Sequence, residues 1–487
     1  MKKVLALLLA LVMVLGLAAC ATKEAPAKTD EPAPADTANT ETTEQTSADA
    51  SDAAEPVTIK IWFHGSNVTP EASEKVMAEL NPYLNEKIGV TLDPIWGTWG
   101  DFDTSTVTAL AGGDDVDIYF TCNWSADEYN KYARDGYWVK LDDMLATDAP
   151  ELLATIPEGI WECARTNGLD GMGIYAVPGL KDTATQNCWD VNGTLLAELG
   201  YDVDTVCASG LDYYSDEYEE MLQKAKDAKG GDFYPLLIEP AVLERLVTHT
   251  SIVTGDLNGG NVLSYYYDAE HPSKDIGSTI VNKFATDEFK KFADRTYYYA
   301  QKGFISPSCQ SVATANDYRT ACQSTGEYLF CTQSYAFGCE LDFSKARGID
   351  VRMVPATAAY MDCTSGQGAM MAISATSKNP DKALQFLNLL NTDPVVMTYV
   401  NYGAEGFTYN KNSDGTITFI DDARATYTPW TNGVGNVRIL PPTSDQGADF
   451  WQRFSAYYDA AETLPYGGFI FDSSVCETEA AALANVW

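Results

Sequence analysis

Histidine is scarce in this 487-residue chain, which has only His64, His249 and His271. No Gly-x-Ser-x-Gly, no Gly-x-x-x-x-Gly-Lys-Ser/Thr and no His-Glu-x-x-His occurs. Serine-hydrolase, P-loop and zinc-protease sites therefore have no local sequence basis. Basic residues are also few: Lys and Arg total 32 against 69 Asp and Glu, a formal charge of −37. Such a balance opposes binding to nucleic acid or to an anionic membrane surface. With so many acids a glycosidase pair of carboxylates is not excluded, but nothing singles one out. No Cys-x-x-Cys pair occurs among the eleven cysteines, so the common zinc and dithiol spacings are missing. No metal and no cofactor is expected.

What is present begins with an address. Met1-Lys-Lys is a basic start, Val4 to Leu17 is almost continuously apolar, and Leu17-Ala-Ala-Cys20 puts small residues before a cysteine. The run is too short for a spanning helix and reads as a secretory signal. It resembles a bacterial lipoprotein signal, which makes residues 1–20 the signal and Cys20 the lipidated residue. An ordinary signal with a chance cysteine is the plain alternative. Residues 21–56 contain no Val, Ile, Leu, Met or aromatic residue. They cannot bury enough surface to offset their ordering entropy and read as a disordered tether. The ten other cysteines could pair outside the cytosol. Several sit in apolar strings such as Tyr328-Leu-Phe-Cys331, which favours free thiols packed as small core residues.

The folded part opens with a strand, Val57 to Phe63. Thr69-Pro70-Glu71 then offers an N-cap, a first-turn proline and a first-turn acid. A helix to about Lys87 follows, with Val76, Leu80, Tyr83 and Leu84 on one face. A strand from Gly89 to Asp93, a helix from Asp103 to Ala111 and an apolar strand from Val116 to Thr121 complete a βαβαβ unit with a parallel sheet. Ligands of open α/β sheets bind beyond the carboxyl ends of the strands. Asn123 and Trp124 sit at that end. An amide beside a flat ring suits a hydroxyl-rich ligand, although a Trp closing the core above a capping Asn explains the same pattern.

These segments carry a resemblance. The strand ending in Ile61-Trp62, the helix running into Glu86-Lys-Ile-Gly-Val90, and Ala111-Gly-Gly-Asp-Asp-Val-Asp-Ile-Tyr-Phe120 resemble the extracellular solute-binding proteins (family 1) of ABC importers. Gly171 to Pro178, Tyr298 to Pro307 and Ser374 to Tyr402 agree with it. The tail from Trp430 to Asp472 resembles that of LipO-like lipoproteins. The resemblance implies an α/β, two-lobed periplasmic-binding-protein-like (type II) fold. One lobe would hold residues 57–178 plus 360–402, the other 188–355 plus 408–487. Hinges would lie at Val177 to Thr185, Pro355 to Tyr360 and Gly403 to Thr408. It also implies a monomer held to the membrane by lipid, delivering its ligand to permease subunits. The family pattern continues beyond a helix starting near Thr478, so the stop at Trp487 reads as a truncation.

Three functions compete: carbohydrate capture for import, capture of a peptide or other solute on the same fold, and surface hydrolysis. Tryptophans favour the first. Trp62, Trp96, Trp99, Trp124 and Trp189 are all expected at strand ends or turns, where rings can stack on sugar faces. Arginines look sparse around the expected cleft. The expected oligosaccharide site comprises Trp62, Trp96, Trp99 and Trp124 with Asn123 and His64 from the first lobe. Asp182, Gln186, Trp430 and Asn432 would come from the second. His64 could equally be a polar turn residue. Asn410 to Asp421 imitates the spacing of a calcium loop, but a hairpin turning at Asp414-Gly415 accounts for it without a cation.

Overall fold

A computed structural model describes residues 56–471 except 253, 256–262, 311, 363 and 468, with a few isolated positions between 476 and 482. The signal segment with Cys20, the tether, and nearly all of the chain after Phe471 lie outside the described residues.

The first sheet is built as its sequence demands. Strand β1 (Val57–Phe63) buries Ile59, Ile61 and Phe63 on one face. Helix α1 (Pro70–Ile88) starts where the Thr69 side chain accepts the Ala72 N–H and ends at Gly89, whose left-handed φ of 65° an L side chain would resist. Its buried stripe is Val76, Met77, Leu80 and Leu84, while the Tyr83 hydroxyl reaches Asp393 at 2.7 Å. Strand β2 (Val90–Trp96) pairs parallel with β1 from Val57 opposite Val90 to Phe63 opposite Trp96. Helix α2 (Phe102–Gly112) leads into β3 (Ile118–Thr121), all four residues of which are buried. That two-sided burial fits the interior of a sheet covered on both faces. The expected elements therefore stand, with ends shifted by one to three residues.

The chain then crosses between two sheets. Strand β4 (Val177–Pro178) forms an edge of the first sheet, and β5 (Asn187–Asn192) is already in the second. The second sheet also holds β6 (Leu236–Leu237), β7 (Phe330–Ser334) and β8 (Val351–Pro355), in the order β8-β5-β7-β6. Helix α3 (Pro240–Thr248) follows β6. The chain returns through residues 356–369 to β9 (Met370–Ile373), antiparallel between β3 and β4. The first sheet is thus ordered β2-β1-β3-β9-β4. Each sheet has its own core: Ile61, Ile118, Phe120 and Leu387 around the first, Trp189, Tyr218, Leu222 and Phe330 around the second.

Two expectations fail here. Gly403 to Thr408 is no crossing. The Thr408 hydroxyl donates to the Tyr402 and Ala404 carbonyls, folding the chain back on its own helix end. Residues after 408 do not pass at once to the second lobe. Tyr409, Ile417, Tyr427, Val434 and Val437 are buried in the first core, and Asn67–Val68 pairs with Tyr427–Thr428. The imitation calcium loop is a hairpin. Strand β10 (Tyr409–Lys411) pairs antiparallel with β11 (Ile417–Phe419), and Asp414 accepts from the N–H and hydroxyl of Thr416. Among the described residues nine cysteines are unbridged, no group of three or more His, Cys, Asp or Glu could hold a metal ion, and no helix is long and apolar enough to cross a membrane.

Candidate functional site

Strand β3 delivers Asn123 and Trp124 to the gap between the sheets. The Asn123 N–H donates to the Gln367 carbonyl at 3.0 Å. The Trp124 indole N–H donates to the Gly368 carbonyl at 2.8 Å, yet half of that side chain stays exposed. One edge is fixed and one face is left open, as a stacking platform requires. Trp99 is also half exposed and stacks with Trp124, with ring centroids 6.2 Å apart and planes 23° apart. Trp430 tilts against both, at 5.0 Å from Trp99 and 6.0 Å from Trp124. The turn beneath depends on Gly65, whose φ is +66°. A Cβ there would lie 2.7 Å from the Trp99 ring, so a side chain would push the indole off.

His64 lies under these rings. Its ring centroid is 3.8 Å from Phe102, 4.5 Å from Trp99, 5.0 Å from Phe120 and 5.6 Å from Trp124. It is 5 % exposed, and neither ring nitrogen has a partner among the described residues. Burial pushes its pKa down to about 4 against a weaker upward pull from Asp103, so the ring is neutral at pH 7. The expected contact between His64 and ligand hydroxyls is therefore not available in this conformation, because tryptophans cover it. It does lie in the turn after β1, but buried among aromatic rings rather than facing solvent.

Beside the indoles, a cavity of about 370 Å³ lies between the sheets, within the range of about 300–1,000 Å³ usual for ligand pockets. Asn123 and Trp124 line one wall, and Lys181, Asp182 and Thr185 from the crossing line the floor. Arg245 of α3, Ser334 to Ala336 after β7, and Tyr360 and Asp362 of the return crossing complete it. Asp182 is held by Lys181. Asp362 accepts from the N–H and hydroxyl of Thr364, and burial raises its pKa against those bonds and the nearby Arg245.

The other expected residues fall elsewhere. Side chains alternate across a strand rather than pointing off its end. Trp62 accordingly stacks on Tyr119, and Trp96 stacks on Phe63 at 4.6 Å while donating to Ser73. Both pack against the first core. Trp189 is not at a strand end. It lies inside β5 opposite Thr332 and Val354, 1 % exposed. Gln186 braces the crossing, donating to the Thr357 carbonyl and accepting from the Tyr457 hydroxyl at 2.6 Å. Trp430 joins the first-lobe cluster, not the second, because residues 427–428 are strand-paired there. Asn432 sits in the turn after it and does not line the cavity.

Arg245, Tyr360, Asp362 and the Ser334–Ala336 turn were not anticipated. The last was within reach. Tyr328-Leu-Phe-Cys331 is as apolar as Val116 to Thr121, and the strand-end rule applies to it equally. Arg245 lies on a helix face, where nothing local marks it.

No family model matches the sequence. A carbohydrate ABC transporter substrate-binding protein of Streptococcus pneumoniae is 25 % identical over 438 residues, covering 90 % of this chain and 83 % of that protein. The crystal structure of an N-glycan transport solute binding protein from the same organism superposes with a TM-score of 0.68 at 22 % identity, covering 88 % of each chain. Its complex with Man5GlcNAc gives 0.62 at 25 % identity, again over 88 % of each. Along nine-tenths of its length this chain is thus similar in sequence to a carbohydrate ABC transporter substrate-binding protein, and it shares the two-lobed α/β fold of a solute-binding protein.

Proposed function

We propose that the protein captures an oligosaccharide between its lobes and hands it to the permease of an ABC importer. The observation that carries this reading is the pair of half-exposed, mutually stacked indoles, Trp99 and Trp124, beside a polar cavity between two separately packed sheets. Sugar rings present apolar faces to such indoles and hydroxyl edges to Asn123, Ser334 and Tyr360. The S. pneumoniae relatives, one named for carbohydrate and one crystallised with an N-glycan, agree with that chemistry. Closure would turn on the two crossings, 179–186 and 356–369.

Capture without turnover is the expected behaviour. Asp182 and Asp362 both line the cavity, but Lys181 engages one carboxylate and Thr364 the other. The proteins that the chain resembles are named for binding and transport, which agrees with capture alone. Lipid on Cys20, spaced by the tether, would hold the protein at the outer face of the cytoplasmic membrane, where two acyl chains suffice for stable attachment. Labelled palmitate should enter the wild type and not Cys20→Ala.

Titration calorimetry with Man5GlcNAc, mannotriose, chitotriose, maltotriose and trigalacturonate tests the main reading. Saturable binding of at least one of these, recovered unchanged by chromatography, is expected. A panel with no binder would overturn the reading, and so would release of shorter sugars.

A further inference from the structure

In a chain this acidic, arginines find partners. Arg165, Arg295, Arg319, Arg347, Arg352, Arg438 and Arg453 are all ion-paired. Arg424 donates to the Asn401 and Tyr427 carbonyls. Arg245 differs. It lines the interlobe cavity, its Nε is buried without a hydrogen-bond partner, and the described residues offer its guanidinium neither an ion pair nor a hydrogen bond. The neighbouring carboxylate of Asp362 is turned onto Thr364. A buried Nε left without a partner costs free energy that a well-placed ligand acceptor would offset.

The helix beneath it is fixed. Glu244, the preceding residue, is buried in an ion pair with Lys283 at 2.6 Å and accepts from Thr250 at 2.7 Å. Helix α3 ends at His249, which adopts a left-handed φ of 53°. So the stretch of backbone that carries Arg245 is set before any ligand arrives.

We propose that Arg245 is a specificity-determining contact that reads a pair of adjacent oxygen acceptors on the captured sugar. This rests on the oligosaccharide reading above. A guanidinium has five N–H donors in a planar fork and no acceptor. It selects two oxygens side by side and rejects a deoxy position, whose loss would leave the fork unsatisfied again. Vicinal hydroxyls and a uronate carboxylate share this geometry. In the full arrangement the indoles of the first lobe hold ring faces and Arg245 of the second lobe holds one ring's edge. The ligand thereby bridges the lobes.

The test uses the full chain and the panel above. Arg245→Met keeps the stem and removes the fork, and Arg245→Lys keeps the charge and removes the planar pair. Arg245→Met should weaken the bound sugar at least tenfold with an unchanged or higher Tm of the free protein, since no internal bond is lost. If a neutral sugar is the binder, Arg245→Lys should lose nearly as much. If trigalacturonate is the binder, Arg245→Lys should retain most affinity and become more salt-sensitive. A wild type that binds while both variants bind within twofold of it overturns this inference and leaves the oligosaccharide reading standing. A wild type that binds nothing in the panel overturns both.

Discussion

The two sheets each carry a tryptophan at or near the strand that faces the cleft, and the two tryptophans do opposite work. Trp124 follows β3, keeps half its surface in solvent and spends its N–H on the Gly368 carbonyl. Trp189 lies two residues into β5, between two neighbouring strands, and is packed against Tyr213, Tyr218 and Phe330. The residue type is the same and its position along the strand differs. A ring inside a paired strand must go to one face of the sheet, and both faces here are covered. A ring in the loop beyond is constrained by neither. Hence the first lobe presents an aromatic wall, whereas the second presents Arg245, Ser334 and Tyr335.

Truncating each ring gives the sharpest contrast. Trp189→Ala should cost about 3–5 kcal/mol of stability, as other buried aromatic truncations do, visible as a lower denaturation midpoint without ligand. Trp124→Ala or Trp99→Ala should instead weaken sugar binding roughly tenfold or more, the worth of about 1.4 kcal/mol of lost stacking. Their Tm without ligand should barely move. If calorimetry and melting curves show Trp124→Ala losing stability and keeping affinity, the contrast between the two rings collapses.

A smaller effect sharpens the picture of the first wall. Asp127 closes the loop that carries Asn123 and Trp124. Its Oδ1 accepts from Ser125 at 2.5 Å and its Oδ2 is buried without a partner among the described residues. Burial pushes this carboxyl up to about 8. The unfolded chain ionises near pH 4 while the folded one holds its proton, so stability drains away as pH rises from about 4 towards 8. Asp127→Asn supplies a neutral side chain of the same shape. It should raise Tm at pH 7 by about 2 °C or more and change nothing near pH 3.5. Equal melting curves at pH 7 would mean the carboxylate is better solvated than its surroundings indicate.

The smallest expected effect has the opposite sign in pH. His64 is held neutral, with its pKa pushed down to about 4 from 6.5. The unfolded state takes up a proton below about 6.5 and the folded state does not, so stability falls as pH drops from 6.5 towards 4. Other groups also titrate there, which makes the difference between wild type and His64→Phe the useful quantity. The variant should lose less stability than the wild type between pH 7 and pH 5. Identical slopes would place the imidazole in contact with water rather than beneath Trp99 and Trp124.

Local pattern alone determined the first βαβαβ unit. Thr69-Pro70-Glu71 and Gly89 bracket α1 through backbone groups within a turn of themselves, and the largely apolar run Ile118 to Thr121 needs two covered faces whatever surrounds it. The same local rules separated the Asp414-Gly415 hairpin from a calcium loop, and the strand-end rule found Asn123 and Trp124. Tertiary structure decided everything that depended on which lobe a distant segment joins. Tyr427 and Trp430 sit with the first lobe because Asn67–Val68 pairs with Tyr427–Thr428 and both aromatic side chains pack on the first core. Trp62 and Trp96 turn inward because core space was available on their side of the sheet. His64 loses its place in the expected site because three tryptophans, from segments up to 366 residues away in the chain, close over it. Arg245 gains one because no acidic side chain forms an ion pair with it among the described residues, and the absence of a bond leaves no mark on the residues that flank it.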